Sequence, residues 1–385
     1  MKKITIILLL TPFFLFSQKS DLKKYLSFDS TLFVNEEVIK TKLNIAYTSD
    51  SNNIYFVDKN NTNRIGTLDI STKKIIFTPL NLSGKEKYVS RPSSSIVSID
   101  YFNNKVFLFY YEYVLICQKK NGVYDFIEKI DIPFDSPINS ANVISENKIL
   151  FFINYLGLGI DYDKSTSFII FDYKTKEIIE KNIEFNSPLY TYYGINMLSI
   201  DSDRIYVSQA NEFNIRVYNK NLEPIDSLVF KKSNWEKIPN KKMEKIFQKS
   251  PQPINRMSYF NSIFMKYPSI IKIYAVNDFI LVSYLKPESE GLSVKLDLFK
   301  KNNGEYKLLV EDNSGGIDEI ERFSGYLAFH SDCMFVGDKI IQFRKGTTVD
   351  KSKFKSESEY EQAVNEYYKN NDGILIIDIF NSSIK

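Results

Sequence analysis

Few residues of this 385-residue chain have side chains that could carry catalysis. His330 is its single histidine, so a zinc site of two or three histidines cannot be built. Ser331 follows His330 directly, but consecutive residues of a strand point to opposite faces and do not form a catalytic triad. We interpret His330 as a satisfied structural histidine or, in a ring-shaped fold, as one that lines the channel.

Sequence motifs that define a reaction are missing as well. The chain contains no Gly-x-Ser-x-Gly, no His-Glu-x-x-His and no glycine-rich phosphate loop. Cys117 and Cys333 do not make a disulfide framework in a chain of this length. Two buried thiols or one bridge between them both remain open.

One group of carboxylate and amide side chains could bind a cation. Oxygen ligands of these types are the ones that Ca²⁺ prefers. The same residue types commonly form the turns that precede strands, which is the alternative interpretation. The candidate calcium ligands are Asp100, Asn142, Asn196, Asp201 and Asn277.

A second group of residues could bind a ligand. Four connections contain a proline after serine or arginine: Arg91-Pro92, Ser136-Pro137, Ser187-Pro188 and Ser250-Pro251. Tyrosine and arginine, which are enriched in binding hot spots, are frequent in and after these connections, although the chain has 26 tyrosines in all. The predicted ligand-binding residues are Arg91, Asn139, Tyr192, Tyr193, Arg256 and Tyr259.

A repeated strand pattern must position these side chains. Six times, a polar turn ends in a charged or amide residue and an apolar strand follows. These strands begin at Asn53, Lys105, Lys148, Arg204, Asp278 and Lys339. A second short strand precedes several of them, with the shared phrase Ser-Ile-Asp at Ser98–Asp100 and Ser199–Asp201, and two more strands follow. A unit of ~45–50 residues with four antiparallel strands is typical of a propeller blade. We therefore predict an all-β, six-bladed β-propeller, since the regular period disfavours a β-sandwich or a β-helix.

The last predicted blade lacks its fourth strand, and a spare strand, Thr31–Val34, precedes the first blade. We expect this N-terminal strand to close the last blade and thereby the ring. Two short helical insertions interrupt the pattern, at about 231–268 and 351–371. The first has a helix from Asn240, and the second begins with a capping box of Ser356 and Glu359. The insertions either pad the surface of the ring or cover one mouth of its channel.

The N-terminus predicts export. Two lysines precede an apolar run from Ile4 to Phe16, which is too short to span a bilayer, and the small residue Ser17 suits cleavage. We assign residues 1–17 to a signal peptide and 18–385 to a single propeller domain. The first cysteine is Cys117, so a lipoprotein is not expected. We predict a periplasmic or secreted protein that has no membrane span and acts as a monomer.

The charge of the chain indicates which partners to exclude. Its 50 basic and 47 acidic residues give a formal net charge of +3. Removal of Lys2 and Lys3 with the signal leaves 48 basic against 47 acidic residues, a net charge of +1. This balance provides no basic surface for nucleic acid.

The single tryptophan, Trp235, excludes sialidase-type and quinone-dependent propellers, which carry a tryptophan in repeated motifs.

The chain resembles secreted six-bladed β-propeller proteins of Bacteroidetes, of the broad TolB-like and NHL-like grouping. The resemblance rests on the repeats and on the Phe16-Ser17-Gln18 junction, which looks like the signal cleavage site of that phylum. It implies an exported binding module.

Two functions follow as hypotheses. In the first, a non-enzymatic propeller without a cofactor binds a protein, peptide or glycan across one mouth of its ring. In the second, the chain is a calcium-dependent hydrolase or lyase with the metal in the central tunnel. The fold does not choose between them, because function depends on the site.

Overall fold

The computed structural model describes most of the chain as strands in antiparallel order. The described residues are 26–34, 45–58, 61–82, 84, 96–134, 138–153, 166–183, 198–201, 203–209, 212–232, 235–236, 239, 241, 266–276, 278–288, 291–314, 332–346, 353–370 and 374–382.

The strands fall into six consecutive groups, which we call repeats 1 to 6. Repeat 1 contains β2 (Ile45–Ser49), β3 (Asn53–Asp58), β4 (Asn61–Asp69) and β5 (Lys74–Asn81). Repeat 2 contains β6 (Ser98–Phe102), β7 (Lys105–Phe109), β8 (Tyr113–Lys120) and β9 (Val123–Asp131). Repeat 3 contains β10 (Ile138–Ser145), β11 (Lys148–Ile153), β12 (Thr166–Asp172) and β13 (Glu177–Ile183).

The remaining repeats continue the same order. Repeat 4 contains β14 (Leu198–Asp201), β15 (Arg204–Gln209), β16 (Glu212–Asn219) and β17 (Pro224–Val229). Repeat 5 contains β18 (Ser269–Val276), β19 (Phe279–Glu288), β20 (Gly291–Asn302) and β21 (Glu305–Ser314). Repeat 6 contains β22 (Asp332–Val336), β23 (Lys339–Gly346) and β24 (Ile374–Ser382), with β1 (Leu26–Val34) as its outer strand.

The burial of each strand explains its sequence. The second strand of a repeat, such as Lys148–Ile153, is buried at every position after the first. Such a strand is covered on both faces, and a continuous apolar run is what two covered faces require. The outer strand β5 instead alternates between exposed and less exposed residues, because one of its faces is open to water.

The predicted N-terminal strand is confirmed. β1 pairs antiparallel with β24 from Leu26 opposite Ser382 to Val34 opposite Leu375. It begins five residues earlier than the sequence predicts and contains a bulge between Phe28 and Ser30. In the middle of the pair, the Thr31 hydroxyl donates to an Asp378 carboxylate oxygen at 2.6 Å. The edge of β24 is therefore covered by a strand from the other end of the chain.

Apolar clusters join neighbouring repeats. One cluster lies between repeats 1 and 2, another between 2 and 3, and others between 3 and 4 and between 4 and 5. A fifth cluster combines residues of repeats 5, 6 and 1, including Leu281, Ile341 and Ile54. The outer strands of repeats 1 and 2 also pair in parallel at Leu80 and Tyr124, so their four-stranded sheets run into one another. Each repeat thus packs against the next, and repeat 6 contacts both repeat 5 and repeat 1.

The helix of the second predicted insertion is confirmed. α1 spans Glu357–Asn370 and lies between β23 and β24. The Ser356 hydroxyl accepts from the Glu359 backbone N–H at 3.2 Å, as in the predicted capping box. The Glu359 carboxylate accepts from the Lys355 N–H at 3.0 Å, one residue before the position that a capping box normally uses. Of the helix predicted from Asn240, nearly all residues lie outside the described part of the chain.

Candidate functional site

The two ends of the strands carry very different connections. Within each repeat the strands alternate in direction. Ser98 contacts Ala141 and Asp100 contacts Val143, so the first strands of repeats 2 and 3 run in the same direction. The connections from first to second and from third to fourth strands therefore leave at one end, which we call the short-turn face. All other connections, including those between repeats, leave at the opposite end, which we call the long-connection face.

The short-turn face is built from tight hairpins. Its connections have two to four residues throughout the bounds given above. Asn121-Gly122 and Asn303-Gly304 join their strands with positive φ at both residues, as two-residue hairpin turns require. On the long-connection face the loops range from two residues, at 210–211, to 39 residues, at 230–268. Binding residues concentrate on long loops held by a rigid scaffold, so the long-connection face is the candidate site.

Carboxylates of the short-turn face serve the turns themselves. Asp69 accepts from the Ser71 hydroxyl at 2.7 Å and from the Thr72 N–H at 2.9 Å. Asp172 accepts from the N–H groups of Lys174 and Thr175. These backbone hydrogen bonds lower the pKa of both carboxyls. The geometry explains these residues by hairpin formation, without any ligand.

The predicted ligand-binding residues belong to the connections of the candidate face. Arg91, Tyr192, Tyr193, Arg256 and Tyr259 lie outside the described residues. Asn139 is the second residue of β10, and its side chain is also outside the description. Their convergence therefore stays a prediction.

Asp100, a predicted calcium ligand, is a buried acceptor between three repeats. Its carboxylate accepts from the Thr48 hydroxyl of β2 at 2.9 Å, from the Val143 N–H of β10 at 2.7 Å and from the Tyr101 N–H at 2.8 Å. Burial raises the pKa of Asp100, while these donors and the Asn142 side chain oppose that effect. Three donors occupy the carboxylate, which gives Asp100 a structural role between the inner strands.

The other calcium candidates are placed only in part. Asn142 precedes Val143, whose N–H donates to Asp100, and the Asn142 side chain is near enough to lower the pKa of that carboxyl, so these two residues come together. Asp201 ends β14, where it pairs with Arg204. Asn196 and Asn277 lie outside the described residues. Within the described part of the chain, no three histidine, cysteine, aspartate or glutamate side chains cluster as metal ligands would.

The phrase Ser-Ile-Asp does not occupy equivalent positions in repeats 2 and 4, so the predicted equivalence is wrong. Asp100 lies opposite Phe107, the third residue of its partner strand, whereas Asp201 lies opposite Arg204, the first. Ser199, opposite Tyr206, takes the place of Asp100 and accepts from the Ala275 N–H of the next repeat at 2.9 Å. What recurs is an oxygen acceptor for the next inner strand, and either residue type provides it.

A buried charge cluster between repeats 4 and 5 was missed by the sequence reading. The Lys232 ammonium lies 2.5 Å from an Asp297 carboxylate oxygen and 2.5 Å from the Tyr284 hydroxyl, with both charged side chains at most 3% exposed. Tyr284 in turn donates to Asp297 at 3.1 Å. Trp235 packs edge-on against Tyr284, with ring centroids 5.4 Å apart. The start of the connection after β17 is thus anchored on repeat 5.

A second buried lysine lies at the inner strands. The Lys272 ammonium of β18 is 4.5 Å from the ring centre of Tyr47 on β2 and 4.8 Å from that of Tyr274. The Tyr47 ring stacks on Phe343 of β23, with centroids 4.8 Å apart. Repeats 5, 6 and 1 therefore meet at this point, where cation–π contacts hold the ammonium.

The cysteine and histidine predictions have separate outcomes. Cys117 is free and buried, and burial raises the pKa of its thiol to about 12, which makes it an unreactive core residue. Cys333 lies on β22, and its side chain is outside the description, as is His330 altogether.

Comparison with known proteins shows the fold. No protein-family model and no curated protein sequence matches the chain. A protein from Bacteroides fragilis described as exported is similar in structure, with a TM-score of 0.61 and 13% identity over 94% of this chain and 97% of that one. The WD40 domain of Neurospora crassa Pan2 gives a TM-score of 0.43 with 8% identity, over 94% of this chain and 97% of that domain. The N-terminal domain of Nup159 gives a TM-score of 0.41 with 9% identity, over 83% of this chain and 76% of that one.

Successive four-stranded antiparallel groups, with a terminal strand that covers the last edge, define the β-propeller class. The described residues therefore confirm the predicted all-β class and its propeller-like arrangement. Among the described residues, no helix has the length and apolar character needed to cross a membrane.

Proposed function

We propose that this protein is an exported, six-bladed β-propeller that binds a protein, peptide or glycan on its long-connection face. In this proposal each repeat is one blade, β1 closes the sixth blade, and the inner strands surround a central channel. The apolar cluster that joins repeats 5, 6 and 1 supports a closed ring of six.

The observation that carries the proposal is the difference between the two faces. Turns of two to four residues leave little surface for recognition on one face, whereas the other contains the connections of up to 39 residues. All predicted ligand-binding residues that lie in connections belong to that second face. A scaffold with one elaborated face is typical of proteins whose function lies in their loops.

Export is supported by two independent observations. The first 17 residues have the lysine pair, the short apolar run and the small residue of a signal peptide. A structurally similar protein from Bacteroides fragilis is also described as exported. We infer a periplasmic or secreted destination, and expect mass spectrometry of the protein purified from its native envelope fraction to give Gln18 as the first residue. Recovery of the chain with Met1 intact would contradict export by a cleaved signal.

The binding proposal is tested by capture from the native envelope fraction. Wild-type protein, the double variant Arg91→Ala/Arg256→Ala and the control Lys120→Ala, on the short-turn face, are compared as immobilised baits. We expect a ligand that wild type and Lys120→Ala retain and that the double variant loses. Equal capture by all three proteins would contradict binding at the long-connection face.

Calcium and chelator arms of the same experiment test the second hypothesis, a hydrolase or lyase. The proximity of Asp100 and Asn142 favours a metal there, but the three donors on Asp100 would have to be displaced first. We expect capture and thermal unfolding to be the same with calcium and with chelator. A calcium-dependent rise in the unfolding temperature that Asn142→Ala abolishes would support the metal instead.

A further inference from the structure

The outer strand of repeat 3, β13, presents apolar side chains at an edge of its sheet. In the part of the chain that the structure describes, β13 pairs with β12 and with no other strand. Ile178 is 44% exposed and Ile179 is 47% exposed, and as consecutive strand residues they lie on opposite faces of the sheet. An edge strand of this kind is a template for pairing with another strand.

Outer strands of this protein already pair with each other in one place. β5 and β9 meet edge to edge, with Leu80 beside Tyr124 and Asn81 beside Asp125. The Asn81 side-chain amide donates to the Asp125 carboxylate at 2.8 Å. The edges of repeats 1 and 2 therefore cover one another, which shows that an outer strand of this fold accepts a second outer strand.

The regularity of β13 distinguishes it from the other described outer strands that lack a second neighbour. The pairings of β1, β17 and β21 each contain a shift of register. β13 pairs with β12 without any shift, from Glu177 opposite Asp172 to Ile183 opposite Thr166. Bulges disturb an edge and hinder its pairing, so β13 has the edge best suited to accept a partner strand.

The charges of β13 are complementary to a second copy of the same strand. Glu177, Ile179 and Lys181 alternate along the strand and therefore share one face. In an antiparallel pair with a two-fold axis at Ile179, Glu177 of each copy lies opposite Lys181 of the other. A two-fold axis at Glu180 would instead place two carboxylates opposite each other, and an axis at Lys181 would place two ammonium groups opposite each other. Opposite charges stabilise a cross-strand pair and like charges destabilise it, so the charges select the axis at Ile179.

The surroundings of Lys181 are compatible with this pairing. Its ammonium donates to the Leu222 carbonyl of repeat 4 and lies 6.0 Å from the ring centre of Tyr218. Neither contact neutralises the charge, and an ammonium has three donors. Lys181 can therefore keep the Leu222 carbonyl and also bind a carboxylate from another molecule.

We propose that β13 joins two copies of this protein in an antiparallel, two-fold symmetric dimer with Ile179 on the axis. The two four-stranded sheets of repeat 3 then form one sheet of eight strands, and two Glu177–Lys181 ion pairs flank the central isoleucines. The interface uses the same surface on both copies, so assembly closes at two. The dimer is independent of ligand binding on the long-connection face, and it replaces the sequence-based expectation of a monomer.

The first test is the molecular mass of the mature protein in solution. One pair of short strands makes a small interface, so we expect a reversible dimer with a Kd on the order of 10–100 µM. Sedimentation equilibrium from about 1 to 500 µM covers this range. A single monomeric species at all concentrations would overturn the proposal.

Charge reversal tests the ion pairs. Glu177→Lys and Lys181→Glu each place like charges opposite one another, and we expect each to raise the Kd at least about tenfold. The double variant Glu177→Lys/Lys181→Glu restores opposite charges and should return the Kd to within about threefold of wild type. Lys74→Glu, which changes an exposed lysine of β5 by the same charge, should leave the Kd unaltered. A double variant that stays monomeric, or a Lys74→Glu variant as weak as Lys181→Glu, would overturn the proposed pairing.

A cysteine at the axis tests the register without relying on charge. Residues opposite each other in a strand pair are close enough for a disulfide, so Ile179→Cys should link two chains under mild oxidation. Ile76→Cys on β5, where the native isoleucine is 48% exposed, is the matched control and should link at least about tenfold more slowly, because β5 lies outside the proposed interface. Wild type shows any linkage through Cys117 or Cys333, and circular dichroism checks that every variant folds. Equal rates for the two cysteine variants would overturn the assignment to β13.

Discussion

Single buried polar residues connect the repeats of this protein. Asp100 accepts hydrogen bonds from strands on both sides, and Lys232 crosses from repeat 4 to a carboxylate in repeat 5. Sequence reading cannot find Lys232, because lysines are mostly exposed and nothing near it in the chain indicates the distant Asp297. Asp100 was visible as a polar residue before a strand, but its donors come from three repeats and depend on the tertiary structure.

We predict that Lys232→Met destabilises the protein by about 3–5 kcal/mol, because Asp297 is then left as a buried charge without its cation. The double variant Lys232→Met/Asp297→Asn should lose less than the sum of the two single changes. Urea unfolding of all three proteins measures the coupling. Additive losses, or a loss no larger than that of the exposed control Lys176→Met, would contradict a buried ion pair.

We predict that Asp100→Ala costs about 2 kcal/mol or more, since the Val143 N–H and the Thr48 hydroxyl lose their acceptor inside the protein. The loss should be the same with calcium and with chelator. Chemical unfolding under both conditions checks it, with the exposed Asp203→Ala as a control. A loss seen only in the presence of calcium would assign Asp100 to a metal site instead.

At the scale of strands and helices, the sequence predicts what local patterns determine. The continuous apolar run of β11 and the capping box at Ser356 correspond to structure at the predicted positions. The Ser-Ile-Asp phrase misled, because β6 continues for two residues beyond Asp100 whereas β14 ends at Asp201, which shifts the register by two residues. Register depends on turn geometry as well as on similarity of short phrases.

Gly66 of β4 shows how closely two strands of a repeat fit. It lies opposite Phe56 of β3, and a Cβ atom added to Gly66 would come within 2.4 Å of the Phe56 ring. We predict that Gly66→Ala destabilises the protein by about 1–3 kcal/mol through overpacking. Thermal unfolding measures the loss, and Phe56→Leu in the same chain should restore part of it by making room. No loss in the single variant would show that the ring moves freely.

Asp29 attaches β1 to its surroundings by charge. Its carboxylate lies 2.5 Å from the Lys73 ammonium of repeat 1 and 3.7 Å from that of Lys339 on β23. The hydrogen bond from Lys73 lowers the pKa of Asp29 below its ordinary value of 3.8. The interaction therefore stabilises the folded state above that pH, and the stabilisation is lost as the pH falls through the lowered pKa.

We predict that Asp29→Asn reduces the free energy of unfolding at pH 7 by no more than about 1 kcal/mol, because the pair is partly open to water. The difference between variant and wild type should shrink toward zero as the pH falls below that ordinary value. Urea titrations between about pH 2 and pH 7 check this, with Asp203→Asn as a control. A difference that does not change with pH would assign the effect to packing rather than to charge.

For the whole molecule, the repeated pattern predicts the class of fold but not the complete site. Strand periodicity is local and is legible without a structure, as the six strand starts from Asn53 to Lys339 show. The meeting of Lys272, Tyr47 and Phe343 joins repeats 5, 1 and 6, which are far apart in the chain. Nothing local specifies such contacts, so these three residues could not be placed together from the sequence.

Closure by β1 gives a prediction for the entire protein. A chain that begins at residue 35 lacks the partner of β24 and exposes its apolar edge, Ile374–Ser382, to other molecules. We expect this shortened chain to aggregate and to unfold without a sharp transition. Size-exclusion chromatography and thermal unfolding check this, and a chain that lacks only residues 1–25 serves as the control. A monomeric shortened chain with a sharp transition would contradict the role of β1.

The pairing of β1 with β24 also orders events in time. Thr31 and Asp378 are 347 positions apart, and the first is synthesised well before the second exists. A ribosome that adds about 5–20 residues per second needs tens of seconds to cover that distance. During this interval β1, the first of the described strands, has no partner strand to pair with. Its sequence must therefore stay soluble alone and still recognise β24 later, and a chaperone that holds it would act on residues 26–34 first.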